Sequence, residues 1–192
     1  FRLYKLLKKD KRCSINGYEC YALVKKNRNI IKKKIFVKEI PMIPIDKYFE
    51  YTRLFKNKNL LLPNHNYNLF NKYINNHRNI PHVDVFVTYV TSKLVENGIS
   101  PHFPIYYGSF SGIMDKFTVE VNDIEDYDYE IEKGNMKVVY NDNKENDYAI
   151  MDNYPCQFLA SEKLDGDLYN LKFRKKKPNV EEWLAYLFQT IA

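Results

Sequence analysis

Apolar residues change their spacing several times along the chain, and each change marks an expected element. From Gly17 to Lys25, Tyr18, Cys20, Tyr21, Leu23 and Val24 give the aromatic and branched composition of a strand. The Lys/Asn-rich stretch 25–34 reads as a polar turn. Ile35-Phe-Val-Lys-Glu-Ile40 then reads as a mostly buried strand, stopped by Pro41 and Pro44. Two strands about a basic turn predict an antiparallel hairpin. Residues 45–80 are weakly periodic, with a short helix expected near 46–55 followed by loops, the least regular part bracketed by Pro63 and Pro81. Val83, Phe86/Val87, Val90 and Leu94 then fall on one helical stripe, and Asn97-Gly98 supplies a stop.

Phe103 to Phe110 returns to strand composition, with Pro104 marking an edge or a start. Residues 115–150 form an acidic insertion with possible strands at 117–121 and 136–140. A strand at Gln157–Ser161 leads into Glu162-Lys-Leu-Asp-Gly-Asp-Leu168. Val180, Trp183, Leu184, Leu187, Phe188 and Ile191 predict an amphipathic helix after Pro178, with Asn179 and Glu182 suited to a capping box. Strands, a solitary helix, more strands, a connector and a last helix make an α+β order.

Composition narrows the class. The 192 residues are 45% hydrophobic and 28% charged, sufficient for a core and a solvated surface. No apolar run reaches the length of a membrane span, so no membrane partner is expected. Cys13, Cys20 and Cys156 lack metal spacing, and an odd count argues against a disulfide framework. His65, His77, His82 and His102 are scattered, so no bound zinc is expected. The net charge of +6 is concentrated at 5–12, 25–34 and 172–177. These runs read as solvated loops flanking apolar segments, and no Arg/aromatic module points to nucleic acid. The sequence opens on Phe1 and closes inside a helical pattern, which reads as a piece of a longer chain.

The order of elements, with Ser100-Pro-His-Phe-Pro-Ile-Tyr-Tyr-Gly-Ser-Phe110 after the helix and Glu162-x-Leu-x-Gly-x-Leu168 late in the chain, resembles the amino-terminal lobe of eukaryotic-type Ser/Thr protein kinases. It is similar in particular to kinase-like proteins of large DNA viruses. The resemblance covers about 14–40, 82–114 and 155–192. It implies an antiparallel sheet with one main helix over 1–160, a hinge at 161–168, and the first helix of the large lobe over 169–192.

The family's strand lysine neutralises the α/β-phosphates of ATP and is held by a helix carboxylate. Lys38 occupies the lysine position, and Asp84 is the expected carboxylate, with Glu96 read as a helix-end surface residue. A solvent-facing strand lysine, and a helix-start acid favoured by the dipole, are the plainer accounts of Lys38 and Asp84. Ser161 stands at the gatekeeper position, and Glu162 and Leu164 lie in the hinge whose backbone bonds adenine. Asp167 is the expected ribose contact. Gly17 and Tyr18 lie at the tip of the phosphate-covering hairpin. ATP and Mg²⁺ are therefore the cofactors implied, and a protein substrate or virion protein the partner. The location implied is host cytoplasm or virion.

Two features depart from the family. The hairpin Ser14-Ile-Asn-Gly-Tyr-Glu19 has one glycine, and Ile15 and Glu19 add bulk and negative charge near phosphate. Phe36, two residues before Lys38 and on the same strand face, replaces the small residue against which adenine lies. The catalytic loop and Asp-Phe-Gly motif do not occur in these residues, and His82-Val-Asp84 has Tyr89 where a metal-binding Asn would fall. The segment alone is therefore not expected to transfer phosphate. Two functions follow as expectations: part of a Ser/Thr kinase, or a degenerate kinase fold acting as a binding or virion structural module.

Overall fold

The computed structural model describes residues 1–14, 16–44, 47–48, 74–121, 136–139 and 147–164. They form a mixed α+β architecture: an antiparallel sheet and one long helix. The strands are β1 (Arg2–Ser14), β2 (Gly17–Lys26), β3 (Asn29–Pro41), β4 (Tyr106–Val121), β5 (Met136–Val139) and β6 (Asp147–Glu162). Helix α1 (Ile80–Glu96) lies between β3 and β4 in sequence. The strand order is β1-β2-β3-β6-β4, with β5 paired to β6 off this path.

The strongly basic stretch 5–12, expected as a solvated loop, is instead most of β1. β1 is the terminal strand of the order and pairs with β2 through several register shifts. Lys5, Lys8, Lys9 and Lys11 suit such a strand, because charges and irregular pairing discourage edge-to-edge association. The expected polar turn at 25–34 contracts to Asn27-Arg28, with Asn27 at φ 55, and β3 begins at Asn29. Lys32, Lys34 and Lys38 fall on the face opposite Ile31, Ile35 and Val37, while Lys33 shares the core face and its Nζ donates to the Tyr107 hydroxyl at 3.3 Å.

β4 continues through the expected 117–121 strand without a break. Its ladder with β6 runs from Tyr106↔Ser161 to Val121↔Asp147. β6 is bonded to β4 on one side. The other side is shared, with β3 opposite 156–162 and β5 opposite 148–151. The helices expected near 46–55 and at 180–191 lie outside the described residues, apart from Lys47 and Tyr48.

One sheet face carries the core: Cys20, Ala22, Val24, Ile35, Val37, Tyr107 and Ala160 are buried together. Along β6 a second cluster forms, where Tyr154 stacks on Phe117 at 4.7 Å between ring centroids and meets Tyr48 at 4.5 Å. The Tyr154 hydroxyl donates to the Ile43 carbonyl, so the buried phenol is satisfied.

The C-terminal end of α1 is closed as its sequence requires. Gly98 takes φ +70, and the N–H groups of Gly98 and Ile99 donate to Val95 and Leu94 carbonyls. This is the Schellman arrangement that a glycine at that position permits. The stripe that predicts the helix is a different matter. Val83, Phe86, Val87 and Val90 are exposed, whereas the buried helix residues are Pro81 and Ser92. Periodicity identified the helix correctly but did not identify its packed face. Among the described residues, no helix is long and apolar enough to cross a membrane.

Candidate functional site

Strand alternation sets the chemistry of the two sheet faces. Val37, Ile35 and Glu39 share the core face of β3, so Lys38 and Phe36 project from the other. Register carries this across the sheet. Lys38 pairs with Gly17 on β2 and Leu159 on β6, and Phe36 pairs with Glu19 and Ser161. Gly17, Phe36, Lys38 and Ser161 therefore lie on one surface.

Lys38 Nζ is 2.5 Å from Asp84 Oδ2, with the two side chains 47% and 29% exposed. Aspartate reaches because the helix start is held close to the strand end. Asn79 Nδ2 donates to the Met42 carbonyl at 2.8 Å, tying the residue before α1 to the segment leaving β3. His82 Nε2 lies 2.5 Å from the Ile74 carbonyl, and Pro81 is buried beneath. Asp84 stands in the second turn of α1, and the first turn contains no acid. A helix-dipole account of Asp84 thus loses its geometric basis, since that effect falls off within the first turn.

Glu96 stands at the helix end, as expected, but is partly covered rather than fully exposed. Its side chain is 16% exposed and bonded to Lys93 Nζ at 2.5 Å. A concavity of about 650 Å³ runs beside it between β1, α1 and β4, lined in part by Leu3, Leu6, Tyr89 and Tyr106. Lys38, Asp84 and Phe36 are not among its walls.

The hairpin tip is braced against β3. The Glu39 N–H donates to the Asn16 carbonyl at 2.8 Å. The buried Glu39 carboxylate receives Arg12 at 3.0 Å and lies 3.9 Å from Lys9. Neither Glu39 nor Asn79 was identified from sequence. A single acid in an apolar strand, and an Asn two residues before a proline, are weak signals without their partners.

Gly17 and Tyr18 separate. Tyr18 packs against the core cluster with Lys9 Nζ 4.1 Å above its ring, on the face opposite Lys38. Burial pushes its hydroxyl up to about 12. Gly17 is on the Lys38 face, and the Phe36 ring covers it. A Cβ at position 17 would overlap Phe36 Cζ and stand 2.8 Å from Cε2. Gly17 has no positive φ, so the residue is required here for close approach rather than for a left-handed turn.

Glu19 does carry negative charge onto this face, but cations meet it. Its carboxylate is 2.5 Å from Lys34 and 3.6 Å from Lys163. The Lys34 hydrogen bond holds its carboxyl below the ordinary range.

At the far end, Ser161 is buried and Glu162 closes β6. The Glu162 N–H donates to the Ile105 carbonyl at 2.8 Å, while its carboxylate accepts from the Ile105 N–H at 3.3 Å. Leu164 is exposed, its carbonyl 3.4 Å from Lys163 Nζ. Asp167 lies outside the described residues.

The surface can offer phosphate an exposed ammonium, oriented by a carboxylate. Among the described residues, no group of three His, Cys, Asp or Glu side chains could hold a metal ion. Comparison of the chain with protein-family models, curated proteins and solved structures found no match.

Proposed function

We propose that this chain is the nucleotide-side lobe of a Ser/Thr protein-kinase-like protein, in which Lys38 binds the phosphates of Mg·ATP. One observation carries the reading: a lysine on the third strand bonded at 2.5 Å to a carboxylate of the helix that follows. Phosphoryl-transfer enzymes of this class use that pair to hold the α/β-phosphates. The position of Ser161 at the end of β6, on the same surface as Lys38, supports the reading further. In a longer protein, with a catalytic Asp and metal ligands supplied elsewhere, the reaction would be phosphoryl transfer from ATP to a protein hydroxyl.

The test is thermal. Mg·ATP at about a hundred times its Kd stabilises the binding-competent protein by about 2.7 kcal/mol. A rise in melting temperature is expected, and Lys38→Ala should abolish it. The substitution itself should cost little stability, because an ion pair this exposed contributes weakly. A ligand-induced rise that survives in Lys38→Ala would remove Lys38 from the site.

A second reading has its own observation. The Phe36 ring against Gly17, in a hairpin with one glycine, suits a degenerate fold that serves as a binding or virion structural module. Absence of any Mg·ATP response in the unsubstituted protein would favour it.

A further inference from the structure

The basic runs of the sequence are strands, and their register gives the charge an order that loops would lack. Residues 1–38 hold 13 of the 30 Lys and Arg residues and two of the 24 acids, a net +11 against +6 for the whole chain. Edge protection accounts for cations on β1, but β2 and β3 are each paired on both sides. On the face opposite the core, Lys5, Leu23 and Lys32 stand in line across the three strands. Two residues along β2 on either side of Leu23 come Tyr21, paired with Lys34, and Lys25. Strands lie about 4.8 Å apart, so the middle strand offers an aromatic and an aliphatic side chain between two cationic rails. Tyr21 is 37% exposed, with Lys32 Nζ 5.0 Å from its ring centroid. The segment's two acids, Asp10 and Glu19, are both held by Lys34, at 2.7 and 2.5 Å. Among the described residues, Lys5, Lys25 and Lys32 have no carboxylate partner.

We propose that this face of β1, β2 and β3 binds single-stranded nucleic acid, with a base stacked on Tyr21 and phosphates on Lys5, Lys25 and Lys32. A phosphate chain takes a track of cations, and an unpaired base presents a ring face that a duplex keeps inside its own stack. The contact between Lys32 and the Tyr21 ring is exposed and therefore weak. It can be exchanged, the ring for a base and the ammonium for a phosphate. Insertion into a lipid surface calls for a broad apolar face, whereas Tyr21 and Leu23 are enclosed by lysines. The proposal is independent of the role given to Lys38.

Fluorescence anisotropy of a labelled oligothymidine strand, titrated with the full chain at several salt concentrations, tests this. The single strand should bind more tightly than a duplex of equal length, and an oligouridine strand should bind as well as oligothymidine. Tyr21→Ala should weaken binding by at least about fivefold, the lower end of what one base–aromatic stack contributes. Tyr21→Phe should keep it. Tyr21→Thr, which retains strand propensity without a ring, replaces the alanine variant should that fail to fold. Lys5→Ala combined with Lys32→Ala should lower the slope of log affinity against log salt by about 1.4, at about 0.7 per phosphate contact. Lys116→Ala, on β4, should leave both affinity and slope unchanged. Equal binding of duplex and single strand, with no loss in either Tyr21→Ala or Tyr21→Thr, would overturn the proposal in favour of undirected attraction to polyanions. Binding to phosphatidylserine vesicles without binding to either strand would overturn it in favour of a lipid surface. Absence of strand binding even at low salt would overturn it outright.

Discussion

At the scale of single residues, the candidate site turns on what one missing methyl group allows. Gly17 lies under the Phe36 ring, so a side chain there and the ring cannot both keep their places. Gly17→Ala should displace the ring rather than unfold the sheet, because the clash is with the far end of a side chain. Re-exposing part of a half-buried phenyl sets the cost at about 1 kcal/mol. In a Phe36→Ala background the same substitution should cost much less. Urea denaturation of the four proteins of that cycle measures the coupling, and additive costs would show that Gly17 and Phe36 are independent. The sequence displayed both residues, but as separate anomalies: a glycine-poor hairpin and a bulky residue before the lysine. Their connection was not legible, since it depends on the register that sets Glu19, and not Gly17, directly opposite Phe36. Lys38 and Asp84 were more legible. A lysine in an apolar strand and an acid on the following helix are unusual enough to pair on paper. The tether that brings them together, Asn79 to the Met42 carbonyl, was not.

At the scale of elements, the helix and the strands failed to be legible in different ways. α1 was evident from its stripe, yet Val83, Phe86, Val87 and Val90 on that stripe are exposed. Contact with β4 is made through Ser92, whose buried hydroxyl accepts the Tyr106 N–H at 2.8 Å, and through the Tyr89 and Tyr106 rings at 5.6 Å. An ordinary ranking by hydrophobicity would therefore predict mutational costs in the wrong order. Ser92→Ala should destabilise by about 1–2 kcal/mol, because it leaves a partly buried N–H without its acceptor. Phe86→Ser, at a position 65% exposed, should stay within about 0.5 kcal/mol. Chemical denaturation of the two variants decides it, and a larger loss for Phe86→Ser would mean that the exposed stripe is packed in solution. β1 was missed for a converse reason. Its lysines resemble a loop in composition, while the requirement they satisfy belongs to a terminal strand. Edge position is a property of the sheet and leaves no local mark that distinguishes it from a basic linker.

At the scale of the whole molecule, the sheet order grades the protection of its parts. β6 is hydrogen-bonded to β4 on one side and to β3 and β5 on the other, so opening its 156–161 segment breaks two ladders at once. β2 lies nearer the basic terminal strand, whose pairing is interrupted by register shifts. The three cysteines sample this gradient. Cys13 on β1 is exposed, Cys20 on β2 is 2% exposed, and Cys156 on β6 is fully buried. Burial raises the thiol of Cys20 to about 11 and that of Cys156 to about 12, so neither presents thiolate at neutral pH in the folded state. Labelling with a thiol reagent should be immediate at Cys13. At Cys20 it should require opening of the β1–β2 edge, a local event of lower free energy than global unfolding. At Cys156 it should track global unfolding. In sub-denaturing urea the rate at Cys20 should therefore exceed that at Cys156, and the two should converge as the unfolding transition is approached. Mass spectrometry of peptides from timed samples reads all three sites together. Equal rates at Cys20 and Cys156 throughout would mean that the sheet opens as a single unit, and the protection gradient inferred from its strand order would be wrong.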